Sequence, residues 1–515
     1  MKSSPSRWQD LAFWSGLALL VLLFVAWQFQ HLGGFRWDWD EGAYALTARQ
    51  VAAGYRLYAD IFSMAPPLFV ESLHVAFRAA GETIPVGRAV IVLYSALGLL
   101  GVGLLAREMR GRVAGLAAVV ALSIAPHFYV LSRTIIADMP SMGLACLALW
   151  LSLRYGRTGR RWWLMACGLT LSLGMLIKLT AGLVAPVIVV TVLLHDWPAA
   201  WQEPHRFRAL LRRVGSSALA LVGPFLAPIV LCLAAYPWRP MMEQVVLLLW
   251  SQQNAFVPDP PANVSLIEKY LLLDNRNIAL NRGLTVLALA GGLSLLAPSP
   301  QVVDGGRSRK DALVWWLWLL ITLAVLSTYA PLWPHLLSPI LFPLAVGAGV
   351  AVGELYRRSR EVRATGWTMG QATVIALLIL VVAIYLYDWP AIVSENRRRG
   401  EAPGGHEAEA ILRLIQEKVG PEQYLITDEP LLAFVANRSA PPDLSDSSIV
   451  RIASGKLITS DLIRETEDHS ASAVVLWQDK RFVTYLPDYI QWVEQRYQRI
   501  YENDKGGRLY VRSTH

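Results

Sequence analysis

Long apolar runs alternate with short polar breaks over the first three quarters of the chain, and then the pattern changes. Eleven such runs, bounded by charge or by proline and glycine, lie at about 11–29, 87–106, 113–131, 139–153, 162–177, 180–194, 214–235, 283–298, 313–327, 335–353 and 369–387. About 20 helical residues cross a hydrocarbon core of roughly 30 Å, so the runs near 15 residues read as tilted or extended by their flanks. From residue 389 the apolar positions take the periods of an ordinary soluble domain. Amphipathic helices are predicted over 405–419, 459–468 and 487–496, and short strands over 423–427, 473–477 and 508–512. The expected architecture is an α-helical polytopic membrane protein of about 11 transmembrane helices over 1–388, followed by a small extracytoplasmic α/β domain over 389–515. No internal repeat stands out.

The basic residues orient the runs. The first follows Lys2 and Arg7 without a small-residue cleavage site, which reads as an uncleaved signal anchor. With a cytoplasmic N-terminus and one crossing per run, 20 of the 31 lysines and arginines before residue 389 fall in six inner segments. That bias places the C-terminal domain outside, at a cell inner (plasma) membrane. The same rule decides 66–80, which is apolar but short and carries Glu71 and His74: a crossing there would turn Arg107, Arg110 and Arg112 outward. Residues 30–86 are therefore one outer segment, with surface-lying helices near 41–53 and 67–80 ended by Gly54 and Gly81. A second outer segment spans 236–282, with Trp250, a patch at Pro258, Pro260 and Pro261, and an amphipathic stretch over 265–273.

Composition narrows the class. Hydrophobic residues make up 54% and charged residues 17%, which excludes intrinsic disorder. Cys146, Cys167 and Cys232 all sit in apolar runs, as small core residues rather than a disulfide framework. The net charge of +8 is gathered in the inner loops, so the expected partners include membrane lipids and no nucleic acid.

Chemistry concentrates in the outer segments. Trp37-Asp38-Trp39-Asp40-Glu41-Gly42-Ala43-Tyr44 sets three carboxylates among indoles against the membrane. Asp40 suits an N-cap for helix 41–53, with Glu41 facing the helix dipole; equally, it suits a general base or metal ligand. Asp138, at an outer span end in Arg133-Thr-Ile-Ile-Ala-Asp138-Met-Pro140, fits an N-cap with proline in the first turn, or a partner for Arg133. Lys178 interrupts 162–194 where the crossing count demands an outer turn, and it either snorkels or binds an anion. Arg88 and His335 fall at outer span ends too. Two acidic groups and several cationic ones on one face suit a reaction that deprotonates a nucleophile and expels an anion. No nucleotide-binding glycine loop, HExxH or Cys/His metal spacing is present.

Taken in order, these residues resemble the polytopic GT-C glycosyltransferases, particularly the protein O-mannosyltransferase and lipid A aminoarabinose transferase branch. The matching features are Asp40-Glu41 followed by Tyr44, Pro66-Pro67-Leu68, an Arg-led span at Arg88, and Arg133 with Asp138. Lys178 after a glycine- and leucine-rich helix and the proline-rich span 335–343, which opens at His335, complete the set. The chain departs from the pattern at Met64-Ala65, where a Lys or His often precedes the proline pair, and at Leu179-Thr180 after the lysine. The resemblance implies transfer of one sugar, with inversion, from a polyprenyl-phosphate donor to a lipid, glycan or protein acceptor. It implies Asp40 as general base, Glu41 and Asp138 as further catalytic groups, and Lys178, Arg88 and Arg133 toward the donor phosphate. Tyr44 and His335 would help hold substrate, and a divalent cation on Asp40, Glu41 and Asp138 is left open. The rival reading is a transporter or flippase for a lipid-linked or polar solute, but its repeat halves and charges near mid-membrane are missing here.

Overall fold

A computed structural model describes residues 7–30, 32, 33, 38–203, 205–248, 255–272, 281–296, 305–365, 369–400, 406–477 and 481–512. The chain runs through α1 (Arg7–Phe29), α2 (Trp39–Ala52), α3 (Pro67–Ala80), α4 (Ile84–Arg110), α5 (Arg112–Ile124), α6 (Pro126–Leu131), α7 (Asp138–Thr158) and α8 (Trp162–Ile177). A 3-10 turn over Leu179–Val184 leads into α9 (Ala185–Trp201) and α10 (Arg206–Ala235). Further helices follow at Arg282–Leu296, Gly305–Ser327, Leu341–Thr365 and Met369–Gly400. Within the described residues all eleven apolar runs thus coincide with helical segments. Among the described residues six helices are long and apolar enough to span a bilayer alone, and α5, α8 and Arg282–Leu296 are shorter apolar helices. Trp37, Trp250 and residue 273 of the stretch 265–273 lie outside the described residues, as do residues 297 and 298 of the run 283–298 and residue 405 of the predicted helix 405–419.

Packing of the bundle uses small residues at helix crossings, as expected where lipid removes the hydrophobic drive for association. At the contact of α4 with α7, a Cβ on Gly143 would come within 3.0 Å of the Gly98 Cα. Arginines of the predicted inner loops meet at one end of the bundle. Glu354 is held there by Arg110, Arg357 and Arg358, Arg157 bonds Asp311, and Arg154 bonds Glu108. The C-terminal domain sits at the other end.

The segment 66–80 is a short helix lying on α2 and α4, not a long span. Its polar residues satisfy each other: His74 Nδ1 lies 2.9 Å from Glu71 Oε2, and the Tyr236 hydroxyl donates to Glu71 Oε1 at 2.8 Å. Gly54 and Gly81 take positive φ beyond the ends of α2 and α3.

The C-terminal domain is a four-stranded sheet in the order β1 (Leu425–Thr427), β2 (Ala473–Leu476), β4 (Arg508–Arg512), β3 (Tyr497–Glu502). β1 and β2 are parallel and the other pairings antiparallel. The three predicted helices and three predicted strands are present. β3 was not foreseen because it is an edge strand whose burial runs mostly exposed, so it carries no apolar alternation. The helix Met369–Gly400 passes through residue 389 with Pro390 inside it, so the change from apolar to soluble pattern at 389 does not end the helix.

Candidate active site

The site is built on the first turn of α2. Asp38, not Asp40, occupies the position before that helix, and it makes no side-chain cap. The expected N-cap role of Asp40 is thereby corrected: the helix starts at Trp39, two residues earlier than the carboxylate pattern suggests, which puts Asp40 inside the first turn. Asp138 likewise lies inside the first turn of α7, behind Ala137, and caps nothing.

Glu41 and Arg88 form a pair inside the protein. Glu41 is fully buried, accepting from Arg88 Nε at 2.8 Å and Nη2 at 2.7 Å, and from the Ile135 amide at 3.1 Å. Arg88 also donates to the Leu32 carbonyl. This bidentate pair ties α2 to α4 and to the segment before α7. A buried carboxylate is tolerable only when its lone pairs are so met.

Lys178 and Asp138 form the second pair. The chain is extended at Lys178, between α8 and the 3-10 turn, so its side chain leaves the helix and bonds Asp138 Oδ2 at 2.7 Å. The Arg133–Asp138 pairing expected from sequence is replaced by this one. Arg133 instead donates to the Tyr129 hydroxyl at 3.1 Å and lies over that ring. The five-residue spacing Arg133…Asp138 spans a turn rather than a helix, so the two residues do not share a face. Asp138 Oδ1 is buried with no hydrogen-bond partner among the described residues.

Asp40 stands between these pairs and the C-terminal domain. His335 Nε2 lies 3.7 Å from its Oδ2, from the 3-10 helix Pro334–Ile340. Burial pushes its carboxyl up to about 6; Lys178 and Arg481 pull it down, while Asp138 and Asp446 push it up. Tyr44, one turn along, packs edge-on against Phe69 of α3 at 4.8 Å. Asp40, Asp138, Lys178, Tyr44 and His335 are therefore brought to one region, whereas Arg88 is engaged by Glu41 and Arg133 by Tyr129.

The C-terminal domain closes this region. α2 seats Gly42 on the short helix Pro430–Val435 so closely that a Cβ would come within 2.6 Å of the Leu431 Cα. Leu46 joins the domain's own core. Trp39 Nε1 donates to the Asp428 carbonyl at 3.1 Å, and Arg481 lies 4.7 Å over the Trp39 ring. Gln50 and Arg49 donate to the Ala440 and Phe434 carbonyls. Asp446 accepts from the Ser448 amide and lies against the Met64 backbone. Glu429, buried 3.8 Å from Arg481, is pushed up to about 8, chiefly by burial. Sequence reasoning missed Arg481, Asp446 and Glu429 because nothing local distinguishes them; they lie some 400 residues from Asp40 and form no motif.

As ligands for a divalent cation, Asp40, Glu41 and Asp138 do not converge. Both Glu41 oxygens are taken by Arg88 and one Asp138 oxygen by Lys178. Among the described residues no group of three or more His, Cys, Asp or Glu side chains is placed to hold a metal.

Comparison with known proteins agrees with this layout. Residues 65–227 match the family described as dolichyl-phosphate-mannose-protein mannosyltransferase. No curated protein sequence matches the chain. Among solved structures, ArnT from Cupriavidus metallidurans bound to undecaprenyl phosphate is similar, with 15% identity, a TM-score of 0.59, and 98% of each chain covered. The Archaeoglobus fulgidus oligosaccharyltransferase AglB, in complex with an inhibitory peptide and a dolichol-phosphate, is 14% identical with a TM-score of 0.56 over 99% of this chain and 75% of that one. A further structure of the Archaeoglobus enzyme contains Zn and sulfate. The chain thus shares its fold along its whole length with ArnT and AglB, and over residues 65–227 it matches the mannosyltransferase family.

Proposed function

We propose that the protein transfers a single sugar from a polyprenyl-phosphate donor to an acceptor at the extracytoplasmic face of the inner membrane. The carrying observation is the placement of Asp40: a half-buried carboxylate with an uncapped side chain, opposite the Lys178–Asp138 pair. Asp40 takes the proton of the acceptor hydroxyl, whose oxygen attacks the anomeric carbon from the side opposite the departing lipid phosphate, so configuration inverts. A carboxyl raised to about 6 is ionised at neutral pH yet basic enough to accept that proton. Lys178, held at the end of α8 by Asp138, neutralises charge on the leaving phosphate. His335 and Tyr44 line the same region and orient substrate. Glu41 and Arg88 act on each other and fix the angle of α2.

Support for the donor class comes from neighbours of the same fold that hold undecaprenyl phosphate and dolichol-phosphate. The acceptor peptide tethered in the Archaeoglobus structure shows one kind of acceptor that such a fold accommodates. The basic end of the bundle faces the cytoplasm by the positive-inside rule, which sets the site and the C-terminal domain outside.

The test uses purified protein in lipid with a panel of radiolabelled polyprenyl-phosphate sugars, following release of lipid phosphate and transfer of sugar. Transfer from one donor is expected, reduced roughly 10²- to 10⁴-fold in Asp40→Asn with donor binding kept. The rate should fall as pH drops through about 6, because protonation removes the base. Saturable binding without turnover from any donor, indifferent to Asp40→Asn, would point instead to a flippase.

A further inference from the structure

Lys178 stands where regular helix has stopped. Its amide closes α8 on the Gly174 carbonyl at 3.0 Å, its own backbone is extended (φ −157°, ψ 135°), and its carbonyl accepts from the Ala181 amide at 3.1 Å to open the 3-10 turn Leu179–Val184. An ion pair at the tip of a long, flexible side chain leaves the backbone at such a junction loosely fixed. A second bond ties it down. Thr180 Oγ1 lies 3.3 Å from Ser141 Oγ of α7. Ser141 is fully buried and its hydroxyl donates to the Asp138 carbonyl at 3.1 Å, so Thr180 is the donor to Ser141. The relay runs from Thr180 to Ser141 to Asp138, and it ends on the residue whose carboxylate holds Lys178 at 2.7 Å. Gly174 lets these pieces meet: a Cβ there would come within 3.1 Å of the Ala181 Cβ and 3.3 Å of the Ser141 carbonyl oxygen. Small residues and hydroxyl bonds across packed helices are the usual means of association inside a membrane. Thr180 also falls where the sequence departs from the pattern that it otherwise follows, at Leu179-Thr180.

We propose that Thr180 is a positioning residue: through Ser141 it fixes the turn that carries Lys178, and so sets where the ammonium meets the phosphate of a polyprenyl-phosphate lipid. This rests on the reading of Lys178 as the group that neutralises the donor phosphate. Lys178 and Thr180 attach two points of one turn to two points on the first turn of α7, Asp138 and Ser141. A turn held at both points cannot swivel about either. When a phosphate arrives, Lys178 must share its charge between that phosphate and Asp138, and the ion pair loosens. The Thr180–Ser141 bond is untouched by that exchange, because neither hydroxyl carries charge. It keeps the turn in register while the ammonium changes partners. A neutral bond is also the cheaper one to bury, and it leaves the positive charge of Lys178 for the ligand.

The test uses the full chain in lipid nanodiscs with undecaprenyl phosphate as the probe, since it carries the phosphate and no sugar. Thr180→Val removes the hydroxyl and keeps the branched shape. It should weaken probe binding roughly three- to tenfold, the worth of one hydrogen bond, and speed amide exchange over 178–184. Thr180→Ser should restore both, and Ser141→Ala should reproduce the valine variant. The background Lys178→Met with Asp138→Asn removes the cation without stranding a buried carboxylate. There, Thr180→Val should cost no further affinity. An equal loss in that background, unchanged affinity despite faster exchange, or unchanged exchange would each assign Thr180 to packing alone and overturn the proposal. The sugar-transfer reading is separable from it. Transfer by the wild type with probe affinity unmoved in Thr180→Val sinks the positioning role alone. A loss of affinity that disappears in the Lys178 background, with no transfer from any sugar donor, supports the positioning role and sinks the sugar-transfer reading. No saturable binding of the probe by the wild type sinks both.

Discussion

At the scale of single residues, the site is a matter of which carboxylate is occupied. Asp40, Glu41 and Asp138 are chemically alike, yet each has a different neighbour: His335 and the domain for Asp40, Arg88 for Glu41, Lys178 for Asp138. Local sequence suggested caps for two of them, and the structure shows neither in that role. The Glu41–Arg88 pair is a structural bond, so its removal is expected to act on folding before chemistry. Arg88→Met would leave Glu41 buried and uncompensated at a cost of about 3–5 kcal/mol. Replacing both, as Glu41→Gln with Arg88→Met, should recover part of it. Thermal unfolding in lipid nanodiscs checks both variants.

At the scale of elements, α2 is the part on which everything converges. It lies on α3, is bonded to α4 through Arg88, and is gripped from above by the helix Pro430–Val435. Gly42 matters here because the Leu431 backbone occupies the space a side chain would need. Gly42→Ala is expected to push α2 from the domain, destabilising by about 1–3 kcal/mol. It should also cost more sugar transfer than stability, since Asp40 is two residues away. Comparing residual transfer at a temperature where the variant is fully folded separates the two effects. The helix pattern of α2 was legible in the sequence, including its end near Gly54. Its partner was not, because contact between residues 42 and 431 leaves no periodic trace in either segment.

At the scale of the whole molecule, charge is sorted to the two ends of the bundle. Arginines at the basic end are consumed in ion pairs with Glu354, Asp311 and Glu108, which lock the helix ends together as well as marking the side. If that end is cytoplasmic, a membrane-impermeant maleimide applied to intact cells should label a cysteine placed at Glu422 and not one placed at Arg360. Both positions are exposed in the structure. Equal labelling of the two, or labelling of position 360 alone, would reject the orientation and with it an extracytoplasmic site.

The sequence by itself determined the eleven apolar segments, the short helix within 66–80, and most elements of the C-terminal domain. These follow from local period and charge, which act over a few residues and survive in the linear pattern. It also brought out Asp40, Asp138 and Lys178 as exceptional, because ionisable groups beside long apolar runs are costly wherever they are placed. What only the tertiary structure decided is which of these groups meet. Lys178 goes to Asp138 and not to solvent, Arg133 goes to Tyr129 and not to Asp138, and Arg481 and Asp446 arrive from a domain that sequence could only describe as separate. Pairing energies depend on distances of a few ångströms across the fold, and those distances exist only once the helices have packed and the domain has docked.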